Sequence, residues 1–220
     1  MWKKTADLSR VRVKICGVTT PEDADAAVAL GADALGFNTW RGSKRFVDLD
    51  KAGCWISGLP PSVLRVAVMV RPTAAEAEAV LAQPFIDALQ FHGGEDEDFC
   101  AHFAARGLPF IKAIAINDAA SLENPERFGT RHVLIDTASA RGFGGTGELI
   151  DLGLAEKFAA RHRDLSVILS GGLTPSNVAD AIRRVRPCAV DVASGVEVAP
   201  GKKDARLIDE FIRAACGVPD

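Results

Sequence analysis

What this 220-residue sequence lacks excludes several large classes of protein. Its cysteines, Cys16, Cys54, Cys100, Cys188 and Cys216, are odd in number and contain no C-x-x-C pair. That argues against a disulfide framework and against a structural zinc site. The four histidines are dispersed, with no H-E-x-x-H. No apolar run approaches the roughly 18–20 residues that span a bilayer, and the opening "MWKKTADLSR" has no apolar core of the signal-peptide kind. No Ser/Gly/Pro-rich linker divides the chain, so one domain is expected over residues 1–220, with 1–10 a short polar extension. A net charge of −3 gives no general attraction to nucleic acid or to anionic membranes. The expectation is a cytoplasmic protein with reduced thiols, in which a phosphorylated small molecule would need a local positive site.

What is present is an eightfold rhythm. Apolar, β-rich runs cover 12–16, 34–38, 64–70, 88–92, 109–116, 132–137, 167–171 and 189–194. Ala-rich amphipathic stretches follow near 21–30, 48–57, 73–83, 95–105, 118–123, 150–162, 175–184 and 203–214, the fifth being the least distinct. Thr20-Pro21 and Thr174-Pro175 each place a capping hydroxyl before a proline suited to the first helical turn. Alternation of this kind predicts a parallel sheet. Eight units of roughly 25 residues match a closed (β/α)8 TIM barrel better than an open doubly wound sheet.

In such a barrel, chemistry gathers at the C-terminal ends of the strands. The glycine clusters "LSGGLTPSN" (169–177) and "DVASGVEVAPG" (191–201) end strands seven and eight, where backbone N–H groups can approach a phosphate. Gly171, Gly172, Ser194 and Gly195 are the candidates, and "GFGGTGE" (142–148), with Gly145, could close over them. Arg41, Lys44 and Arg45, in the loop after strand two, are candidates for a second anion. Asp136 ends an otherwise apolar strand, either as a simple helix cap or, in a partly desolvated pocket, as a carboxyl suited to donate a proton. Cys16 ends strand one and would be the complementary base if nearby positive charge favours its thiolate. Lys14 points to the same side of that strand, placed either to favour the thiolate or to pair with Asp191. His92 ends strand four as a hydrogen-bond donor to a ligand or as a satisfied rim histidine.

The segments "KICGVTTPEDA", "GADALGF", "SKRFV", "LQFHG", "LIDT", "GGTG", "LSGGLTPSNV" and "VDVASGVEVAPGKKD" occur in the order and spacing of the phosphoribosylanthranilate isomerases of tryptophan synthesis. The chain resembles that family from about Val11 to Ile212. The resemblance implies a (β/α)8 barrel that needs no cofactor and no metal and catalyses an Amadori rearrangement. It implies Cys16 as general base and Asp136 as general acid. It favours Arg45 for the anthranilate carboxylate, gives the phosphate to Gly171, Gly172, Ser194 and Gly195, and leaves His92, Gly145 and Asp191 as further substrate-binding candidates. A homodimer remains open. The family's second loop usually reads "FYPKS" or similar; here it is "NTWRGS" (38–43), and the chain has no tyrosine at all. Rival readings are a phosphosugar isomerase of histidine synthesis or a dual-specificity enzyme, against which Cys16 in place of an aspartate argues, and a non-catalytic barrel that binds phosphorylated metabolites.

Overall fold

The computed structural model describes residues 10–137 and 149–218. Eight parallel strands close into a barrel in chain order. They are β1 (Arg12–Cys16), β2 (Ala34–Asn38), β3 (Leu64–Met69), β4 (Ala88–Phe91), β5 (Phe110–Ala115), β6 (His132–Asp136), β7 (Ser166–Leu169) and β8 (Ala189–Val192). The closing seam pairs Lys14 with Asp191 in register, and on the other side of β1 Cys16 pairs with Gly36. Strand side chains alternate between faces. The outer set, among them Val13, Ile15, Phe37, Leu89 and Phe91, packs under the helices, whereas Ala34, Val66, Ile111, Leu134, Ile168 and Ala189 fill the barrel.

Helices α1 (Pro21–Ala29), α2 (Leu49–Ser57), α3 (Ala74–Leu81), α4 (Glu97–Ala104), α5 (Leu152–Arg161), α6 (Val178–Val185) and α7 (Ala205–Cys216) surround the sheet. Side-chain acceptors start most of them. Thr20 accepts from the Asp23 amide with Pro21 in the first turn, and Thr73 and Glu76 form a reciprocal capping box.

Two helix expectations are corrected. The fifth stretch, 118–123, is not a helix; two 3-10 turns, Ala120–Leu122 and Pro125–Phe128, stand there. Within the stretch the Asp118 amide donates to Ser121 Oγ at 3.1 Å and the Ser121 amide to Asp118 Oδ1 at 2.9 Å, which closes the chain into a tight turn, and Asn124, left-handed at φ 54°, separates the two turns. Thr174-Pro175 does not open the helix either. Asn177 is the cap residue of α6, its Oδ1 accepts from the Thr174 amide at 2.8 Å, and its Nδ2 donates to the Gly172 carbonyl at 3.0 Å. Asn177 thereby braces the glycine loop rather than the helix.

After β8 the chain makes a short 3-10 turn, Ser194–Val196. It then forms a small hairpin that the sequence did not disclose, β9 (Glu197–Ala199) paired with β10 (Lys202–Lys203). This hairpin folds back over the end of β1.

Candidate active site

The inside of the barrel is not uniformly apolar. Lys14, Ser170 and Asp191 form a buried polar cluster near the C-terminal ends of β1, β7 and β8, and Gln90 is a buried polar side chain on β4. Lys14 Nζ donates to Asp191 Oδ1 at 2.6 Å, and Ser170 Oγ donates to Asp191 Oδ2 at 3.2 Å. Both readings of Lys14 therefore hold, because the ammonium also lies against the Cys16 thiol above it. A Cβ at Gly36 would fall 2.8 Å from Cys16 Sγ and 3.1 Å from Lys14 Nζ, so a side chain there would occupy the space these two groups share. Asp191 belongs to the floor of the site as the partner of Lys14.

Burial pushes the Cys16 thiol above its ordinary value; Lys14 pulls it down, Asp191 raises it again, and Lys203 pulls it down. The reading of Cys16 as a base asks for positive neighbours, and two stand beside it. The two ammonium groups do favour the anion, but the loss of hydration outweighs them.

Gly17, the residue after the thiol, is left-handed at φ 73°, and a Cβ on it would lie 2.3 Å from Arg45 Cδ. The Arg45 stem crosses the chain at this point. Its guanidinium pairs bidentately with Glu197, Nε to Oε1 at 2.8 Å and Nη2 to Oε2 at 2.7 Å. Lys203 Nζ donates to the same carboxylate at 2.9 Å, to the Cys16 carbonyl at 2.6 Å and to the Ala193 carbonyl at 3.1 Å. The hydrogen bonds that Arg45 donates to Glu197 hold the guanidinium above its ordinary value. Glu197 is kept below the ordinary carboxylate value by Arg45 and Lys203, in spite of burial. Two cations sharing one carboxylate leave one net positive charge beside Cys16. Arg41 instead stacks over Phe46 at 5.0 Å, and Lys44 is exposed.

Across the rim, Asp136 is buried. Its Oδ1 accepts from the Thr137 amide at 2.8 Å, and His92 Nε2 lies 3.4 Å from Oδ2. Gly171, at φ 90°, packs against this carboxyl, since a Cβ there would lie 3.0 Å from Asp136 Oδ1. A Cβ at Gly195 would fall 1.9 Å from the Leu173 carbonyl oxygen, so the loops after β7 and β8 touch. Gly171, Gly172, Ser194 and Gly195 thus come together. Gly145 lies outside the described residues.

Sequence reasoning passed over Gln90, Glu197, Lys203 and Glu95. Glu95 accepts from the Gly93 and Arg71 amides and pairs with buried Lys112 at 2.9 Å, tying the loops after β3 and β4 to β5. The spacing "HGGE" was its sole signal. Glu197 and Lys203 stood in the quoted "SGVEVAPGKKD", but their partner Arg45 lies 152 residues from Glu197.

A thiol over a buried ammonium and a carboxyl beside an imidazole stand on the C-terminal rim of a (β/α)8 barrel, the face on which enzymes of this fold carry their chemistry. Residues 13–214 match the family model of N-(5'phosphoribosyl)anthranilate (PRA) isomerase. An N-(5'-phosphoribosyl)anthranilate isomerase of Nitrosomonas europaea is 44% identical over 206 residues, 93% of this chain and 94% of the relative. A crystal structure of phosphoribosyl anthranilate isomerase in complex with reduced 1-(o-carboxyphenylamino)-1-deoxyribulose 5-phosphate superposes with a TM-score of 0.81 at 39% identity, over 93% of this chain and 98% of that one. A structure of monomers of the dimeric Thermotoga maritima enzyme gives a TM-score of 0.78 at 37% identity, over the same shares of 93% and 98%. The chain belongs to the N-(5'-phosphoribosyl)anthranilate isomerase family.

Proposed function

We propose that Cys16 and Asp136 are the base and acid with which this chain carries out the family's Amadori rearrangement, N-(5-phosphoribosyl)anthranilate to 1-(2-carboxyphenylamino)-1-deoxyribulose 5-phosphate. The observation that carries the assignment is the Lys14–Asp191 pair under the Cys16 thiol, because a purely structural rim cysteine needs no buried ammonium against its sulfur. Asp136 donates its proton to the ribose ring oxygen as the C1–O bond breaks. The nitrogen lone pair moves into C1–N, leaving an iminium. Cys16 takes the C2 proton, and the electrons of that bond form the C1–C2 double bond and return the iminium pair to nitrogen. The resulting enolamine gains a proton at C1 and loses the one on its C2 hydroxyl, which yields the ketone.

The resting thiol is protonated more fully than a free one, so the thiolate forms with substrate in place. Lys14 and Lys203 are the standing charges that favour it, and the iminium adds a third. The surplus charge of Arg45, held rigid by Glu197, faces the anthranilate carboxylate. Gly171, Gly172, Ser194 and Gly195 offer backbone amides to the phosphate. Catalysis in the cytoplasm and assembly as a homodimer complete the reading. Among the described residues no helix is long and apolar enough to cross a membrane.

The test separates binding from chemistry. Calorimetry with the reduced product analogue should give Cys16→Ala an affinity within about threefold of the wild type, while its turnover falls roughly 10²–10⁴-fold. Turnover preserved in Cys16→Ala would remove the base from the scheme.

A further inference from the structure

Gln90 is buried on the inner face of β4, two residues below His92. Its amide Nε2 is 3.0 Å from His92 Nδ1. Its Oε1 is buried and has no hydrogen-bond partner among the described residues. A buried acceptor left without a donor costs about 1–3 kcal/mol, so this orientation of the amide is held by what Nε2 does. The histidine supplies the reason. Its other nitrogen faces the Asp136 carboxyl at 3.4 Å. A lone pair there would repel the carboxylate that Asp136 becomes on giving up its proton; an N–H attracts it. With Nε2 protonated, a neutral imidazole has its lone pair at Nδ1, and only the NH2 end of Gln90 can satisfy it. Turning the amide over would make Nδ1 the proton-bearing nitrogen and would move the ring proton away from Asp136.

We infer that Gln90 is a positioning residue of the active site: it locks neutral His92 in the tautomer whose Nε2–H points at Asp136, so that the imidazole donates to the acid and cannot take its proton. The functional half of this inference rests on the reading of Asp136 as general acid. When Asp136 has given its proton to the ring oxygen, the fixed Nε2–H is in place to meet the carboxylate charge that results. With the other tautomer, a basic nitrogen would face Asp136 and compete for the proton that the ring oxygen must receive.

Two variants test it. Gln90→Glu replaces the donor with an acceptor and calls for a proton on Nδ1. Gln90→Met keeps the length of the side chain and removes the donor. In 15N-labelled protein at neutral pH, the His92 ring, identified by its loss in His92→Gln, should show a protonated Nε2 and an unprotonated Nδ1 in the wild type. Gln90→Glu should move the proton signature to Nδ1, and Gln90→Met should give a mixture. In turnover, Gln90→Glu should lose at least about tenfold in kcat, part of the roughly 10²–10⁴-fold that a general acid supplies, with KM within about twofold. A protonated Nδ1 with a bare Nε2 in the wild type, or a ring spectrum unmoved in both variants, overturns the tautomer lock. A moved spectrum with kcat unchanged overturns the positioning role. Asp136→Asn, measured alongside, separates the two claims: retained turnover there removes the general acid, while the ring spectrum still reads the tautomer.

Discussion

Removing either half of the Lys14–Asp191 pair should destabilise the protein while moving the Cys16 thiol in opposite directions. Both side chains are buried and their charged atoms are 2.6 Å apart. Lys14→Met leaves the Asp191 carboxylate with the Ser170 hydroxyl alone; Asp191→Asn leaves a buried ammonium without its counter-ion. Stranding one charge of a buried pair costs about 3–5 kcal/mol, whereas replacing both removes the bare charge. Urea unfolding should therefore give each single variant a loss of about 3–5 kcal/mol and the double variant a loss well short of their sum, with a coupling of at least about 2 kcal/mol. The thiol behaves differently. Lys14 is the strongest influence favouring the thiolate, and Asp191 opposes it. The pH dependence of Cys16 alkylation, followed on its own peptide by mass spectrometry because Cys54 is exposed, should shift upward in Lys14→Met and downward in Asp191→Asn. Shifts of the same sign in both variants, or strictly additive losses of stability, would refute the placement of the pair beneath the thiol.

Other expectations follow from the same geometry. Burial pushes His132 down from 6.5 to about 4. The folded state therefore binds fewer protons than the unfolded one, and stability present above pH 6.5 is lost as the pH falls toward 4. Full transfer of that shift would amount to about 2 kcal/mol at pH 5, and partial exposure reduces it to about 1 kcal/mol. His132→Gln should flatten the wild-type stability curve by that amount between pH 7.5 and 5, and an unchanged slope would contradict the burial. Gly17→Ala must adopt φ 73° and meets Arg45 Cδ at 2.3 Å. It should cost about 1–3 kcal/mol and raise KM by displacing the arginine; a variant with wild-type KM would show that Arg45 does not serve the substrate. Arg45→Lys keeps the charge but loses the bidentate hold on Glu197, so KM should rise with kcat little changed in steady-state assays.

The barrel was legible because each strand is an apolar run bounded by turn residues, and β1 and β2 fall on the residues that the pattern marks. The fifth stretch reads as a helix from its Ala-rich composition, but Asp118 and Ser121 bond each other's backbone in a tight turn, the local alternative that such residues offer. α6 starts later because Asn177 takes the Thr174 amide and the Gly172 carbonyl instead of leaving Thr174 to cap. The rim residues Cys16, Asp136, Gly171 and Gly195 could be found from their place at strand ends. The charges that tune them could not. Glu197 meets Arg45 across 152 residues and Lys14 meets Asp191 across 177, so no local pattern links them. The direction in which the Cys16 thiol moves is likewise a balance of burial against two ammonium groups, and burial is a property of the closed barrel.

The central claim, that one thiol and one carboxyl divide the proton transfers, is tested most directly by single-turnover conversion of freshly generated N-(5-phosphoribosyl)anthranilate by the wild type, Cys16→Ala and Asp136→Asn side by side. The account predicts rapid conversion by the wild type and a fall of roughly 10²–10⁴-fold in each variant. Conversion by either variant within about tenfold of the wild type, or a folded wild type that leaves the substrate untouched, would contradict it.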